Sequence, residues 1–351
     1  MQRSRNRNTA LAAAIALAFG ATSATAATIA VTSTDDNFHA STCNLRNAIT
    51  SFKVGALQGS CTMTGTFGDN DTVAFAPALA NSTITLARGE LTIAGLVTIV
   101  GSGQTIDADY GSRVMYLNHA TVTASDLTLT HGYAGGTGRG ANGAGLYLYN
   151  ANATLTGVTI SHNFALGDGG GINLQSGFMS LTQSTVSGNT SVASTGGISA
   201  YGTVVISDSV VSGNSGARTG GIAVSSGYSG GYGYGSTIGS SVSITRSTID
   251  GNHATCSSGP CAGGIFANLG NFITIGASTI SGNTATGMVD LVAGGIYVND
   301  SQLNIVNSTM AQNSAHGNNF VSGGMSLSGA DYGESFITNT TISANSAIIY
   351  N

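Results

Sequence analysis

Two short motifs alternate along most of this chain, and their strict alternation is the feature that most restricts its fold. The first motif is an apolar residue, two small or polar residues and an asparagine, which gives a column of asparagines at Asn163, Asn189, Asn214, Asn252, Asn283, Asn313 and Asn345. The second motif is a glycine pair followed by an apolar residue at Ile172, Ile198, Ile222, Ile265, Ile296 and Met325. Successive asparagines are 26, 25, 38, 31, 30 and 32 residues apart, so the repeat is imperfect but continuous.

Short runs of alternating apolar and polar residues separate the two motifs, and a period of two is typical of strands. Short strands, sharp corners and a repeated coil length predict a right-handed parallel β-helix, an all-β solenoid with two or three strands per coil. We expect each asparagine at a corner, where this residue tolerates left-handed backbone and can form a ladder of stacked amides. We expect the glycine pair to supply permissive dihedrals at another corner.

The first 26 residues have the features of a secretory signal peptide. Arg3, Arg5 and Arg7 precede an apolar run over residues 10–21, and small residues follow up to Ala26. A helix of 12 residues reaches about 18 Å, which is too short for the bilayer core of about 30 Å. The sequence therefore predicts export, with cleavage after Ala26. The predicted domains are the signal peptide at 1–26, a cap segment at 27–70 and the β-helix at 71–351.

Composition excludes several kinds of partner. Charged residues make up 7% of the chain, against about 25% in ordinary domains. Loss of the signal peptide leaves 7 basic and 15 acidic residues, which gives a net charge of −8. Nucleic acids and anionic lipids are poor partners for such a surface because both require dense positive charge. We also expect no transmembrane segment in the mature chain and no cofactor.

The four cysteines form two close pairs, Cys43 with Cys61 and Cys256 with Cys261. Export permits disulfides, and an even count fits these two pairs. Zinc binding by these cysteines is the alternative to disulfide pairing.

The two ends of the predicted solenoid differ. Leu45, Ile49 and Phe52 have helical spacing and predict a short amphipathic helix that covers the first coil. The last residues of the chain still follow the repeat pattern, with no helix, charge run or proline to cover the final coil. We therefore expect self-association through the C-terminal coil, or continuation of the protein by further coils.

The segment Cys43-Asn-Leu-Arg46-Asn-Ala48-Ile49 resembles the Cys-Ser-Leu-Arg-Glu-Ala-Ile signature of bacterial secreted β-helix proteins, with Asn44 and Asn47 as departures. The repeats are similar to those of polymorphic outer membrane proteins and autotransporter passengers. The resemblance covers nearly the whole mature chain. It implies a pectin-lyase-like fold in an exported protein that is extracellular or on the bacterial outer-membrane surface, and such proteins are often adhesive.

Enzymes also use this fold, so such a chain can carry catalytic residues. The best candidates are Asp107, Asp109 and Arg113, with Asp126 and His131 one coil later. Spacing of two residues would place Asp107 and Asp109 on one strand face, which suits a cation or a sugar. The alternative is that these acids are turn residues.

Two further segments are weaker candidates. Asp168 lies in a glycine-rich stretch that resembles half of a calcium-binding turn, although calcium solenoids repeat this turn and here it occurs once. Tyr228, Tyr232 and Tyr234 lie in a glycine-rich insertion and could stack on sugar rings or on a protein. The alternative is a loop without a binding role. His131, His162, His253 and His316 show no triad spacing and are expected at surface turns in different coils.

Three hypotheses follow for function. The first is an exported, non-catalytic adhesin or passenger-type scaffold that binds an extracellular carbohydrate or a host or cell-surface protein. The second is a carbohydrate-active β-helix enzyme, either a polysaccharide lyase or a hydrolase. The third is a non-functional fragment of a longer gene. An enzyme requires acids and bases from adjacent coils to converge on one face.

Overall fold

A computed structural model describes residues 25–37, 41–225, 239–329 and 334–350. It confirms the predicted all-β parallel β-helix. Among the described strands every ladder is parallel, except the short antiparallel pairing of Thr28–Val31 with Met63–Thr64. The predicted signal peptide, apart from Thr25 and Ala26, and the three tyrosines of the insertion lie outside the described residues.

Three long rows of strands form the walls of the solenoid. The first row follows the glycine pairs and contains Leu146–Tyr149, Ile172–Leu174, Ile198–Ala200, Ile222–Ser225, Ile265–Asn268, Ile296–Asn299 and Met325–Ser328. The second row contains Ala151–Thr156, Gly177–Thr182, Thr203–Ser207, Ser241–Thr245, Phe272–Gly276, Gln302–Val306 and Phe336–Thr338. The third row contains Thr159–Ser161, Thr185–Ser187, Val210–Ser212, Thr248–Asp250, Thr279–Ser281, Thr309–Ala311 and Thr341–Ser343.

Shorter rows complete the coils. A corner row follows the third row and contains Tyr133–Ala134, Phe164–Ala165, Thr190–Ser191, Ser215–Gly216, His253–Ala254, Thr284–Thr286, Ser314–Gly317 and Ser346–Ile349. A small sheet contains Cys261–Ala262, Leu291–Ala293 and Phe320–Ser322. The first coils contain Thr28–Val31, Met63–Thr64, Asp71–Phe75, Thr83–Thr85, and the long strands Leu91–Asp107 and Met115–Thr130, each of which runs through all three rows.

The apolar residues of the two motifs form columns that are in register between coils. Ile172, Ile198, Ile222, Ile265, Ile296 and Met325 pair in sequence along the first row. Val186, Val211, Ile249, Ile280, Met310 and Ile342 do the same along the third row. Burying each such side chain contributes roughly 1.5–3 kcal/mol, so these columns drive the fold. In the last coil Ile342 is 47% exposed, although Met310 before it is fully buried.

The cap is an α-helix over Leu45–Val54, as expected, and it is the only α-helix in the described ranges. The side chain of Asn44 accepts a hydrogen bond from the backbone N–H of Asn47, which caps the first turn. Gly55 ends the helix in the left-handed conformation. Short 3-10 turns occur at Pro77–Leu79 and Gly138–Ala141. No helix in the described ranges is long and apolar enough to span a bilayer.

Both predicted disulfides are present, Cys43–Cys61 and Cys256–Cys261. The four cysteines that raised the possibility of zinc are therefore paired with each other. The first bond ties the cap to the main core, and the second closes a small separate apolar cluster. Two disulfides indicate an extracellular or otherwise oxidising environment.

The asparagine column forms a continuous ladder from Asn163 to Asn345. Each amide nitrogen donates to the side-chain oxygen of the next asparagine, at 2.9 Å in the described ranges. The backbone N–H of each asparagine donates to the same oxygen, at 2.9–3.0 Å. Each side chain therefore joins two coils.

The backbone roles expected for the asparagines and the glycine pairs were wrong. The left-handed residue at the asparagine corner is the one before each asparagine, for example His162 at φ 55° and Gly188 at φ 62°. The glycine pairs have ordinary φ values, and close packing explains them instead. A Cβ atom on Gly263 would lie 2.4 Å from the carbonyl oxygen of Gly294 in the next coil, a distance that no side chain tolerates.

Candidate ligand-binding cleft at the corner of the first coils

A cleft of about 330 Å³ lies where the third row turns into the corner row in the first complete coils. We call it the corner cleft. Its walls are formed by Tyr110, Tyr133, His162, Asn163, Phe164, Gly188 and Thr190. Parallel stacking produces this arrangement because equivalent corner residues of successive coils stand beside one another.

Asp107 and His131 form an ion pair or hydrogen bond beside the corner cleft. Asp107 is the last residue of its strand and pairs in register with Thr130, so His131 is the next residue of the adjacent coil. The Nδ1 atom of His131 lies 3.1 and 3.0 Å from the two carboxylate oxygens of Asp107. The backbone N–H of Asp109 donates to Asp107 Oδ1 at 2.8 Å and orients the carboxylate.

Aromatic rings surround this pair. The ring centroid of Tyr110 lies 5.1 Å from that of His131, and His131 lies 6.1 Å from His162. Tyr133 and Phe164 stack with centroids 6.0 Å apart and an interplanar angle of 17°. Tyr110 is 51% exposed and Tyr133 is 37% exposed, so both present apolar faces to solvent. The corner cleft thus combines flat apolar surfaces with a few polar groups, which is typical of small-ligand sites.

The remaining residues of the predicted cluster lie elsewhere. Asp109 does not share a strand face with Asp107, because the strand ends at Asp107 and Asp109 adopts a left-handed turn at φ 46°. Asp126 occupies a left-handed position between the second and third row segments of Met115–Thr130. The structure therefore brings Asp107 and His131 together and places Asp126 at a different corner.

The side chain of Arg113 is held by contacts within the protein. Its guanidinium pairs with Glu90 and donates to the backbone carbonyls of Arg139, Asn142 and Gly143. It also lies over the ring of Tyr147, 4.9 Å from the centroid. Because Arg113 is buried and bonded to Glu90 and to backbone carbonyls of the neighbouring coil, it links the first coils to one another.

Asp168 lies beside Tyr201, whose hydroxyl donates to Asp168 Oδ2 at 3.1 Å. Burial, followed by the negative charge of Asp168, raises the pKa of Tyr201 to about 12. The backbone N–H of Asp168 donates to Asn142 Oδ1 at 2.8 Å, which fixes the turn to the preceding coil. No group of three or more His, Cys, Asp and Glu side chains suited to a metal occurs in the part of the chain that the structure describes.

Sequence reasoning missed His162, Tyr110, Tyr133 and Phe164 as members of one site. The repeat itself contained a usable signal, because Ile160-Ser-His-Asn163 places His162 immediately before the ladder asparagine. Aligning that position with the preceding coil would have placed His131 beside it. The irregular spacing of the first coils hid this register, since no asparagine motif precedes Asn163.

No protein-family model matches this sequence, and no curated protein matches it. Among solved structures, pectate lyase Pel9A is 12% identical with a TM-score of 0.41, over 78% of this chain and 72% of the lyase. The A-module of Azotobacter vinelandii mannuronan C-5 epimerase AlgE6 is 14% identical with a TM-score of 0.28, over 80% of this chain and 91% of the module. At this level of similarity, neither protein indicates what this chain binds.

Proposed function

We propose that this protein is an exported, non-catalytic β-helix scaffold of adhesin or passenger type that binds extracellular carbohydrate in the corner cleft. The observation that carries this proposal is the aromatic surface of the exposed Tyr110 and Tyr133 and the half-buried Phe164, set beside the polar groups of Asp107 and His131. A sugar ring has an apolar face bordered by hydroxyl groups, so it matches aromatic faces flanked by hydrogen-bonding groups.

Rigidity supports binding at this place. Asn163 lies in the wall of the corner cleft and accepts a hydrogen bond from the backbone N–H of Gly132 at 2.7 Å. It is also the first residue of the asparagine ladder, so the wall is fixed to the coils that follow. A site that is already ordered loses little conformational entropy when a ligand binds.

The second candidate is a carbohydrate-active enzyme, and the Asp107–His131 pair is the observation that favours it. A carboxylate on Nδ1 orients an imidazole so that Nε2 can accept a proton. Hydrolysis of glycosides usually requires a second carboxylate at a fixed separation. Asp109 is the nearest acid in sequence, but its backbone supports Asp107 from a turn. We therefore favour binding without turnover.

One experiment separates the two candidates. The purified protein is tested by affinity electrophoresis against neutral and acidic polysaccharides, and the same mixtures are assayed for new reducing or unsaturated ends, with and without calcium. The proposal expects retardation by at least one polysaccharide and no new ends. New ends that disappear in His131→Gln and Asp107→Asn would establish the enzyme. Absence of retardation by every polysaccharide would contradict carbohydrate binding.

A further inference from the structure

His131 and His162 occupy equivalent positions in consecutive coils. The residues before them, Thr130 and Ser161, pair in register, and both histidines are left-handed, with φ values of 51° and 55°. The same backbone conformation at the same corner directs both side chains outward side by side. Their ring centroids are 6.1 Å apart, and neither ring is buried.

Asp107 gives His131 the arrangement of a metal ligand. A carboxylate that accepts from Nδ1–H fixes the tautomer in which Nε2 carries the free electron pair. Both oxygens of Asp107 lie within 3.1 Å of Nδ1, and Asp109 holds the carboxylate in place. Among the described residues, the hydrogen bonds of His131 involve Nδ1. Its Nε2 atom is therefore available to a metal ion.

We infer that His131 and His162 form a two-histidine site for a divalent transition-metal ion such as Zn²⁺, with Asp107 as the positioning residue. Imidazole nitrogen suits zinc, copper and nickel, whereas calcium and magnesium prefer oxygen ligands. Zn–N bonds of about 2.0–2.1 Å place two rings on one ion with centroids about 5 Å apart. The centroids of His131 and His162 lie 6.1 Å apart, and the Nε2 edge of the exposed His162 ring lies beside Gly188, so this ring must turn toward His131 for both histidines to hold one ion.

This inference stands apart from the proposed function, since a metal can bind here whether or not a sugar does. Titration calorimetry of the untagged, full-length purified protein with zinc chloride tests it. We expect one site that calcium chloride does not fill. His162→Gln should abolish that site, and Asp107→Asn should weaken it by about tenfold, as outer-shell substitutions do. His253→Gln is the matched control, because His253 lies on the same corner face and its Nδ1 contacts Thr284 Oγ1 at 2.7 Å.

A gain-of-ligand variant provides an independent test. Gly188 follows His162 in the same column and has φ 62°, a backbone conformation that the histidines before it already adopt. Gly188→His places a third imidazole beside His162 and should tighten zinc binding by at least about tenfold. Zinc binding that is unchanged in His162→Gln, or lost equally in His253→Gln, would overturn the site. Failure of Gly188→His to increase affinity in a normally folded variant would also contradict it.

Discussion

At the scale of single residues, the asparagine ladder makes each of its members sensitive to substitution. Asn283 accepts from the backbone N–H and the side-chain amide of Asn252 and donates to the carbonyl of Ile249. Asn283→Leu leaves these buried groups without partners, so we expect the free energy of unfolding to fall by about 1–3 kcal/mol. Urea denaturation measures this loss. Asn319→Leu, at an exposed position, is the control, and equal midpoints for the two variants would argue against a buried ladder.

Tyr201 gives a prediction about alkaline pH. Its pKa is raised to about 12 in the folded protein by burial and by Asp168, against about 10 in the unfolded chain. The stabilisation is fully present below pH 10, because both states are then protonated. Between about pH 10 and 12 only the unfolded chain loses this proton, so the free energy of unfolding falls as pH rises. Tyr201→Phe should make that fall shallower in urea titrations across this range, and an identical slope would contradict the assignment.

At the scale of elements, the two disulfides should contribute unequally. Cys43–Cys61 spans 18 residues and Cys256–Cys261 spans 5. The loop-entropy model gives about 3 kcal/mol for the longer loop and about 2 kcal/mol for the shorter one. The longer loop also holds the cap helix against the core. We expect Cys43→Ser to lower the melting temperature more than Cys256→Ser in parallel calorimetric scans, and the opposite order would refute this role of the cap.

The strands, the columns and the cap helix could be predicted from the sequence because their signals are local. Alternation fixes the strand faces, and Leu45, Ile49 and Phe52 show the helical period directly. The role of the glycine pairs could not be predicted in this way. It depends on how closely the carbonyl of Gly294 approaches Gly263, which is a contact between coils. The corner cleft was missed for the same reason, since His131 and His162 meet only through stacking.

At the scale of the whole molecule, the last coil exposes Ile337 and Ile342, whose partners in the preceding coil, Ile305 and Met310, are buried. Ile337, Ile342, Ile348 and Ile349 are exposed, and the strand Ser346–Ile349 pairs on one side with Ser314–Gly317. We propose that the 351-residue chain self-associates through this surface. Sedimentation at micromolar concentrations should show oligomers that Ile348→Asp dissociates. A monomer whose behaviour Ile348→Asp leaves unchanged would show that the coil is covered in another way.

If the aromatic walls of the corner cleft bind carbohydrate, substitution of two wall residues should weaken that binding. Affinity electrophoresis would compare Tyr133→Ala/Phe164→Ala with Phe272→Ala, which removes a 50% exposed ring from the second row, on polysaccharides that retard the unmodified protein. We predict that the double variant loses at least about tenfold in affinity, equivalent to about 1.4 kcal/mol, while Phe272→Ala binds normally. Equal affinity in the double variant and the unmodified protein would contradict binding by these walls.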